Sequence, residues 1–318
     1  MIIPAYNAAE NLPETLRSLE AQTSDDWEAV ICDDASTDDT SRVARSFGER
    51  FRVVRNETNM GPAGARNHAL SEARGELIAL LDADDLWLPE YLDEQVSFYE
   101  RSEAEAPGVG IVTCDARIMG PDGIGAQTFR DSMPFPPHLT LSKLLVENSI
   151  YGSFLVPRAI ADQVGGFSLE CFGTEDHDLC IKVLERGYRA VSNPKALAVY
   201  RVQQGSVSSD FARMARNTQT VHRLALQRGH LSRRERWVAR RELRANRLIE
   251  DVFEIQGERA SGGRLPIGRV LGLIPRGLVV AVESPWRWLR VIRRLLTGRG
   301  SFGQRLNPGR EDNLLQGS

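Results

Sequence analysis

A run of apolar residues long enough to cross a bilayer is missing from this 318-residue chain. The nearest approach, Leu265 to Val282, is interrupted by Arg269, Pro275 and Arg276, which argues against a spanning helix. Cysteine is scarce too. Cys32, Cys114, Cys171 and Cys180 lie far apart with no CxxC spacing, so a secreted disulfide scaffold is excluded and all four read as reduced, cytosolic thiols. No signal peptide precedes the first apolar residues, because Ile2-Ile3-Pro4 already reads as the first strand; that strand is oddly short, which admits a start further upstream. Basic and aromatic residues are not interleaved along the main domain, so no nucleic-acid surface is expected there. A hydrophobic content of 42% with 26% charged residues is ordinary for a soluble globular protein, and composition alone points to no particular partner.

What the chain does have is acid at the ends of strands. Asp82-Ala83-Asp84-Asp85 follows the apolar run Leu77 to Leu81 and puts carboxylates at the C-terminal end of a buried strand. Like charges held that close raise one another's pKa or require a cation between them, and hard oxygen ligands suit Mg²⁺ or Mn²⁺. The plainer alternative has one Asp capping the helix that begins near Pro89 while the others are solvated. A second acidic cluster, Asp33-Asp34-Ala35-Ser36-Thr37-Asp38, ends the run Trp27 to Cys32. Ser36 and Asp38 equally suit a turn and N-cap for a helix from Asp39 to Phe47. In an open α/β sheet, ligands gather outside the carboxyl ends of the strands, so both clusters can face one bound molecule. A nucleotide diphosphate with a metal fits that chemistry.

Apolar runs at Ile2-Ile3, Ala29 to Cys32, Phe51 to Val54, Leu77 to Leu81 and Val109 to Cys114 alternate with helical patterns at about 10–22, 39–47, 63–73 and 89–104. This alternation predicts an α/β fold, a mostly parallel sheet with helices on both faces. Asn11-Leu12-Pro13-Glu14 reads as a capped helix start, and Pro107 to Pro137 as a hairpin followed by a long loop.

Four segments then occur in order: Ile2-Ile3-Pro4-Ala5-Tyr6-Asn7, Cys32 to Asp38, Asn59-Met60-Gly61-Pro62-Ala63-Gly64-Ala65-Arg66-Asn67, and Leu81 to Asp85. A fifth, Phe172-Gly173-Thr174-Glu175-Asp176-His177-Asp178-Leu179, lies downstream. Together these strongly resemble family 2 glycosyltransferases over roughly residues 1 to 205. The resemblance implies a GT-A fold and in-line transfer of a sugar from a nucleotide donor, UDP-sugar first, with inversion at the anomeric carbon. It places Pro4 and Tyr6 in the nucleotide pocket and has Asp34 accept a hydrogen bond from the base, while Asp33 positions the loop. Tyr6 equally suits a core aromatic at a strand end. Gly61 to Asn67 is expected to bring a helix start and the Arg66 cation to the diphosphate or ribose; the alternative is that Arg66 pairs with a carboxylate.

The same resemblance has Asp82 contact ribose or metal-bound water and Asp84 ligate the divalent ion, Mg²⁺ or Mn²⁺, with Asp85 a less defined neighbour. Many relatives supply a further His ligand, whereas Val199-Tyr200-Arg201-Val202-Gln203-Gln204 has none, so Arg201 is a candidate to share in neutralising phosphate. Asp176 is expected as general base with Glu175 as the alternate; capping of the helix by Thr174, with acids favoured by its dipole, is the structural alternative. His177 is expected to point away as a surface residue. Gly152-Ser153-Phe154 and Gly165-Gly166-Phe167 match the family's acceptor-side scaffold.

Beyond the transferase domain, 1–205, the pattern predicts a helical extension at 206–260, a basic amphipathic segment at 264–299 and a disordered tail at 300–318. Segment 264–299 holds eight arginines against Glu283 alone. Pro285 to Leu296 sets Leu289, Ile292 and Leu296 at helical spacing beside Trp286, Trp288 and four arginines, which suits the headgroup layer of an anionic membrane at about 1 kcal/mol per basic residue. Packing against the acidic domain or another subunit is the alternative, with nucleic-acid binding a third. The expected partners are a nucleotide-sugar donor and a glycan or lipid-linked acceptor in cell-envelope or surface glycan synthesis. The expected location is the cytoplasm, peripheral to the membrane's cytoplasmic face. Two other functions compete. A sugar nucleotidyltransferase would carry a basic Gly-rich loop after the first strand, where Pro4-Ala5-Tyr6-Asn7 stands instead, and a degenerate transferase-like scaffold would dispense with Asp82, Asp84 and Asp176.

Overall fold

The structure, a computed structural model, describes residues 1–203, 210–260 and 267–283. The chain divides into two units, Met1–Val202 and Gln203–Ser318, a boundary three residues before the one read from sequence. In the first unit β1 (Ile2–Ala5), α1 (Leu12–Glu20), β2 (Ala29–Asp33), α2 (Thr40–Arg45), β3 (Phe51–Arg55), α3 (Gly61–Glu72) and β4 (Leu77–Ala79) alternate. Then come β5 (Leu86–Trp87), α4 (Tyr91–Glu105), β6 (Val109–Gly120), β7 (Gly123–Thr128), α5 (Phe129–Ser132), α6 (Leu141–Val146), β8 (Phe154–Pro157), α7 (Arg158–Gln163), α8 (Glu175–Glu185) and β9 (Arg189–Arg201).

Strands β1, β2 and β3 pair in parallel, and a parallel bridge from Ile2 to Leu80 joins them to the chain just after β4. The second sheet runs β4-β8-β6-β9-β5, with β7 paired to β6. There only β6 and β9 are parallel; the other pairings are antiparallel. The first half thus follows the βα pattern, because Ala29 to Asp33 is buried at every position as a strand covered on both faces must be. The second half is mixed, because the β6–β7 hairpin and short connections reverse the chain.

Helix α1 buries Leu12, Leu16 and Leu19, which its helical spacing puts on one face, into a core that includes Ile3, Ile31, Leu81, Tyr91 and Val112. Asn11 makes no side-chain cap; the helix entry is closed by backbone, with Leu12 N donating to Ala8 O at 2.9 Å. Trp87 stacks on Tyr91 at 3.8 Å between centroids, and its Nε1 donates to Ser153 Oγ at 2.6 Å. Ser153 Oγ in turn donates to Leu80 O at 2.8 Å, so the segment entering the acidic loop is pinned to β8.

In the second unit α9 (Phe211–Arg228), α10 (Arg233–Ala260) and α11 (Ile267–Glu283) are helical. Asp210 caps α9, Gly229 at φ +79° ends it, and a reciprocal Ser232–Glu235 box opens α10. Arg276 pairs with Asp251 and Arg269 with Glu254 and Glu258, tying α11 to α10. Of the expected basic segment, only 267–283 falls within the described residues; Pro285 to Leu296 and the 300–318 tail lie outside them.

Candidate active site

Strands β1 and β2 run in parallel register with Ala5 opposite Asp33, so their ends are level. Asn7 at φ 49° and Ala35 at φ 61° then turn both chains through the left-handed region. Asn7 Oδ1 accepts from Thr37 N at 2.8 Å, Asn7 N donates to Ser36 Oγ at 2.9 Å, and Ala8 N donates to Thr40 Oγ1 at 2.8 Å. The two loops therefore form one wall. On it Tyr6 is 52% exposed, which removes the core-aromatic reading, and Pro4 is half-buried beside it. Ser36 and Asp38 do serve as turn residues, since Asp38 accepts from Ala9 N and Thr40 N at 3.1 and 3.0 Å.

The adjacent aspartates divide their work. Asp33 is fully buried and accepts from Ser36 N at 2.8 Å, from Ser41 Oγ and from the Arg55 guanidinium. Burial alone would raise its pKa, but the Ser36 and Ser41 hydrogen bonds and Arg55 outweigh it and hold the carboxyl below its usual range. Its contacts are those of a loop anchor. Asp34, also buried, accepts from Asn56 Nδ2 at 2.6 Å and Met60 N at 2.9 Å, both on Oδ1.

Just after β4, the acidic loop has three distinct carboxyls. Asp85 is buried, accepting from Tyr151 OH at 2.7 Å and Arg201 N at 3.0 Å, and burial with the charges of Asp84 and Asp82 pushes its pKa well up. It faces inward as a structural anchor. Asp84 is pushed up to about 6 by burial and then by Asp82. The Arg201 guanidinium donates to Asp84 O at 2.8 Å and pairs with Glu14 at 2.6 Å, so it braces the backbone of this loop.

Arg66 binds the halves of the site together. Gly61, at φ +75° with room for a Cβ only 3.4 Å from the Phe172 ring, starts α3, which carries Arg66 inward. The guanidinium pairs with Asp82 at 2.5 Å and with Glu175, so pairing with carboxylates is what the structure shows for Arg66. Its own burial opposes the charge, but Asp82, Glu175 and Asp176 overcome this and raise its pKa. Glu175 is 3% exposed, and its Oε2 has no hydrogen-bond partner among the described residues. Burial raises its pKa despite Arg66.

Asp176, one residue on at the start of α8, is only partly buried; its Oδ2 would lie 3.4 Å from a Cβ placed on Gly152, so glycine keeps the space before this carboxylate clear. Burial raises its pKa too, with Arg66 acting the other way. Thr174 makes no side-chain cap. His177 is not on the surface: it is buried with Nε2 3.0 Å from Leu144 O on α6, and burial lowers its pKa. The reason is that α8 is enclosed nearly all round, with every residue from His177 to Leu184 buried. Asn67, next to Arg66, clasps the turn before α8, its Nδ2 donating to Phe167 O at 2.7 Å and its Oδ1 accepting from Phe167 N at 2.8 Å.

Among the described residues no three or more His, Cys, Asp or Glu side chains converge as a ready-made metal cage. A divalent ion nevertheless fits the donor set, because Asp82 and Asp84 are hard oxygen ligands whose mutual repulsion a cation would relieve, with further oxygens left for a ligand to supply. Sequence reasoning did not find Asn56, His68 or Tyr151, which stand outside the acidic and Gly-rich patterns.

A Rossmann-like parallel half joined to a mixed half, with acids gathered at the strand ends and a helix N-terminus, is the architecture of GT-A nucleotide-sugar transferases. The model of glycosyl transferase family 2 matches residues 1–142. TuaG of Bacillus subtilis, assigned to teichuronic acid biosynthesis as a glycosyltransferase, is 32% identical over 70% of this chain and 86% of its own. The chain belongs to glycosyl transferase family 2. The nucleotidyltransferase alternative is thereby set aside. The Escherichia coli protein WfaP, a UDP-Glc:α-D-GlcNAc-diphosphoundecaprenol β-1,3-glucosyltransferase, is 29% identical over 72% of this chain and 88% of its own. Among solved structures, S. aureus TarS 1–349 in complex with UDP shares the fold at TM-score 0.60 and 20% identity, covering 94% of this chain and 91% of that one. The mannosyltransferase PcManGT of Pyrobaculum calidifontis, in complex with GDP-Man and Mn²⁺, does so at 0.59 and 23% identity, covering 94% and 87%.

Proposed function

We propose that this glycosyltransferase moves a sugar from a UDP-sugar to a hydroxyl of a lipid-linked or cell-envelope glycan, with inversion, using Mg²⁺ or Mn²⁺. The observation that carries the reading is the placement of Asp176 with cleared space before it, beside an Arg66 that ties Asp82 to Glu175. Pro4 and Tyr6 flank the base and Asp34 accepts its N–H. Asp82, with Arg66 behind it, meets the ribose side, and Asp84 with Asp82 holds the ion. Bound there, the ion supplies positive charge to the diphosphate as the leaving group departs.

The acceptor hydroxyl gives its proton to Asp176 as its oxygen forms a bond to the anomeric carbon. The carbon–oxygen bond to phosphate breaks on the opposite face, and its electron pair leaves with the nucleotide diphosphate. One displacement inverts the centre. Burial raises the pKa of Asp176, which strengthens it as a base. Glu175 suits the role less, because one oxygen is committed to Arg66 and the side chain is almost wholly enclosed.

An acceptor on a lipid carrier would put the enzyme at the cytoplasmic face of a membrane, and two observations support this. WfaP acts on a diphosphoundecaprenol-linked sugar. In this chain, α11 exposes Ile274, Leu278 and Val282 at i, i+4 and i+8, ahead of the arginine- and tryptophan-bearing sequence that follows Glu283. No described helix is long and apolar enough to cross a membrane. Release of UDP from a panel of UDP-sugars in cell-envelope extracts tests the chemistry. The wild type should release it in a chelator-sensitive way and Asp176→Asn should not; equal release by both would reject the assignment, and no release by either would favour a scaffold.

A further inference from the structure

The fold by itself does not choose a nucleobase, since TarS holds UDP and PcManGT holds GDP-Man on the same architecture. The choice has to come from side chains. Asp34 has one oxygen already spent: Oδ1 accepts from Asn56 Nδ2 at 2.6 Å and Met60 N at 2.9 Å, while among the described residues no hydrogen bond falls on Oδ2.

Asn56 is fixed in its turn. It is buried just beyond β3, its backbone N donates to Asp33 O at 2.9 Å, and its Oδ1 lies 2.7 Å from His68 Nδ1 on α3. This geometry orients both groups. A carbonyl oxygen turned toward the Asp34 carboxylate would be repelled, so the amide presents NH₂ to Asp34 and Oδ1 to His68. His68 must then carry its proton on Nδ1. The Cys32 Sγ, 3.8 Å from the same nitrogen, is pushed up to about 12 by burial and by Asp34 and Asp33, so it brings no competing charge.

We propose that Asn56, held by His68, is a positioning residue that sets the nucleobase preference: with Met60 N on one lone pair of Asp34 Oδ1 and the Asn56 amide on the other, Oδ2 is left as the acceptor, suited to uracil and not to guanine, and removing Asn56 or its His68 support frees a second acceptor on Oδ1. Uracil offers one imino N–H between two carbonyls, which a lone Oδ2 satisfies. Guanine offers two adjacent N–H donors and pairs best with a carboxylate whose oxygens are both available. The inference rests on the reading that Asp34 receives the base.

Calorimetric titration of UDP and of GDP, each with Mn²⁺, into wild type, Asp34→Ala, Asn56→Ala, His68→Ala and His68→Gln tests it. The wild type should prefer UDP. Asn56→Ala and His68→Ala should narrow the ratio of the two dissociation constants by about tenfold, the worth of one charge-assisted hydrogen bond. His68→Gln, whose amide still donates to Asn56, should keep the ratio. A purely structural defect weakens both nucleotides together, so an unchanged ratio in Asn56→Ala and His68→Ala overturns the proposal, as does a wild type that prefers GDP. If instead Asp34→Ala keeps wild-type affinity and preference, the placement of the base on Asp34 has failed. Should Asn56→Ala not fold, the half-buried His68 and its two variants decide the question.

Discussion

Replacing Arg66 with Met removes the one guanidinium shared by Asp82 and Glu175, and the cost can be worked from the two pairs separately. Asp82 is 47% exposed, so water takes over its solvation and that pair contributes well under 1 kcal/mol. Glu175 is different. At 4% side-chain exposure it would be left as an uncompensated buried charge beside Asp176 and Asp82, a change that typically costs about 3–5 kcal/mol. For a unit of this size that is a fall in melting temperature of about 6–20 °C. Its pH dependence has a definite sign. Burial already raises the Glu175 pKa in the folded state, and without Arg66 it rises further, so the folded variant holds a proton that the unfolded chain releases. The deficit relative to wild type should therefore be largest above the folded pKa and shrink as pH falls toward the unfolded value of about 4.3. Scanning calorimetry at pH 7.5 and 5.0 on wild type, Arg66→Met and Arg66→Met/Glu175→Gln reads all of this, with the double variant recovering most of the loss. A loss under about 1 kcal/mol, a deficit that grows in acid, or no recovery on neutralising Glu175 would refute the reasoning.

Asp176→Asn should lower turnover by about 10²–10⁴-fold with donor affinity kept, and the acid limb of the wild-type rate profile should lie above the usual aspartate range, because burial raises this carboxyl and activity falls as it is protonated. A limb in the ordinary range would count against Asp176. Gly166→Ala places a Cβ 2.5 Å from Asn67 Oδ1 at φ +59°, whereas Gly165→Ala, at φ +77°, meets nothing within 4 Å. Both incur the left-handed penalty of about 1 kcal/mol, but only the first should lose more than that in a denaturant titration. Truncation after residue 263, or Glu substitution of Ile274, Leu278 and Val282, should abolish co-sedimentation with anionic vesicles; unchanged partitioning sinks the membrane assignment.

The N-terminal half of the fold was legible because each of β1, β2, β3 and β4 lies in a short apolar run within an alternating βα pattern, and buried strands such as β1 and β2 demand such runs. The mixed half was legible only in part, where Val109 to Cys114 marked β6 and the stretch after it the β6–β7 hairpin. Strand β9 contains Asn193-Pro194-Lys195, β5 is two residues long, and strands with so little local signature are specified by the neighbours they pair with. Among the site residues, the acidic clusters announced themselves through the electrostatic cost of gathering carboxylates at strand ends. His177 was misplaced because the apolar run Leu179 to Leu184 marks a helix without revealing that neighbouring elements enclose it on nearly every side. Asn56 and His68 belong to no pattern at all; their pairing across twelve positions exists only once β3 and α3 are folded.

The two-way amide clasp of Asn67 on Phe167 has a consequence for how such enzymes can diversify. It fastens the helix carrying Arg66 to the turn that leads into the helix carrying Asp176, across 100 positions of sequence. On the proposed reading, these two hydrogen bonds couple the donor side of the site to its acceptor side. A descendant adopting a new acceptor would then vary most freely at exposed positions away from that clasp such as Leu169, rather than at Phe172, whose ring lies close to Gly61 at the start of the helix carrying Arg66.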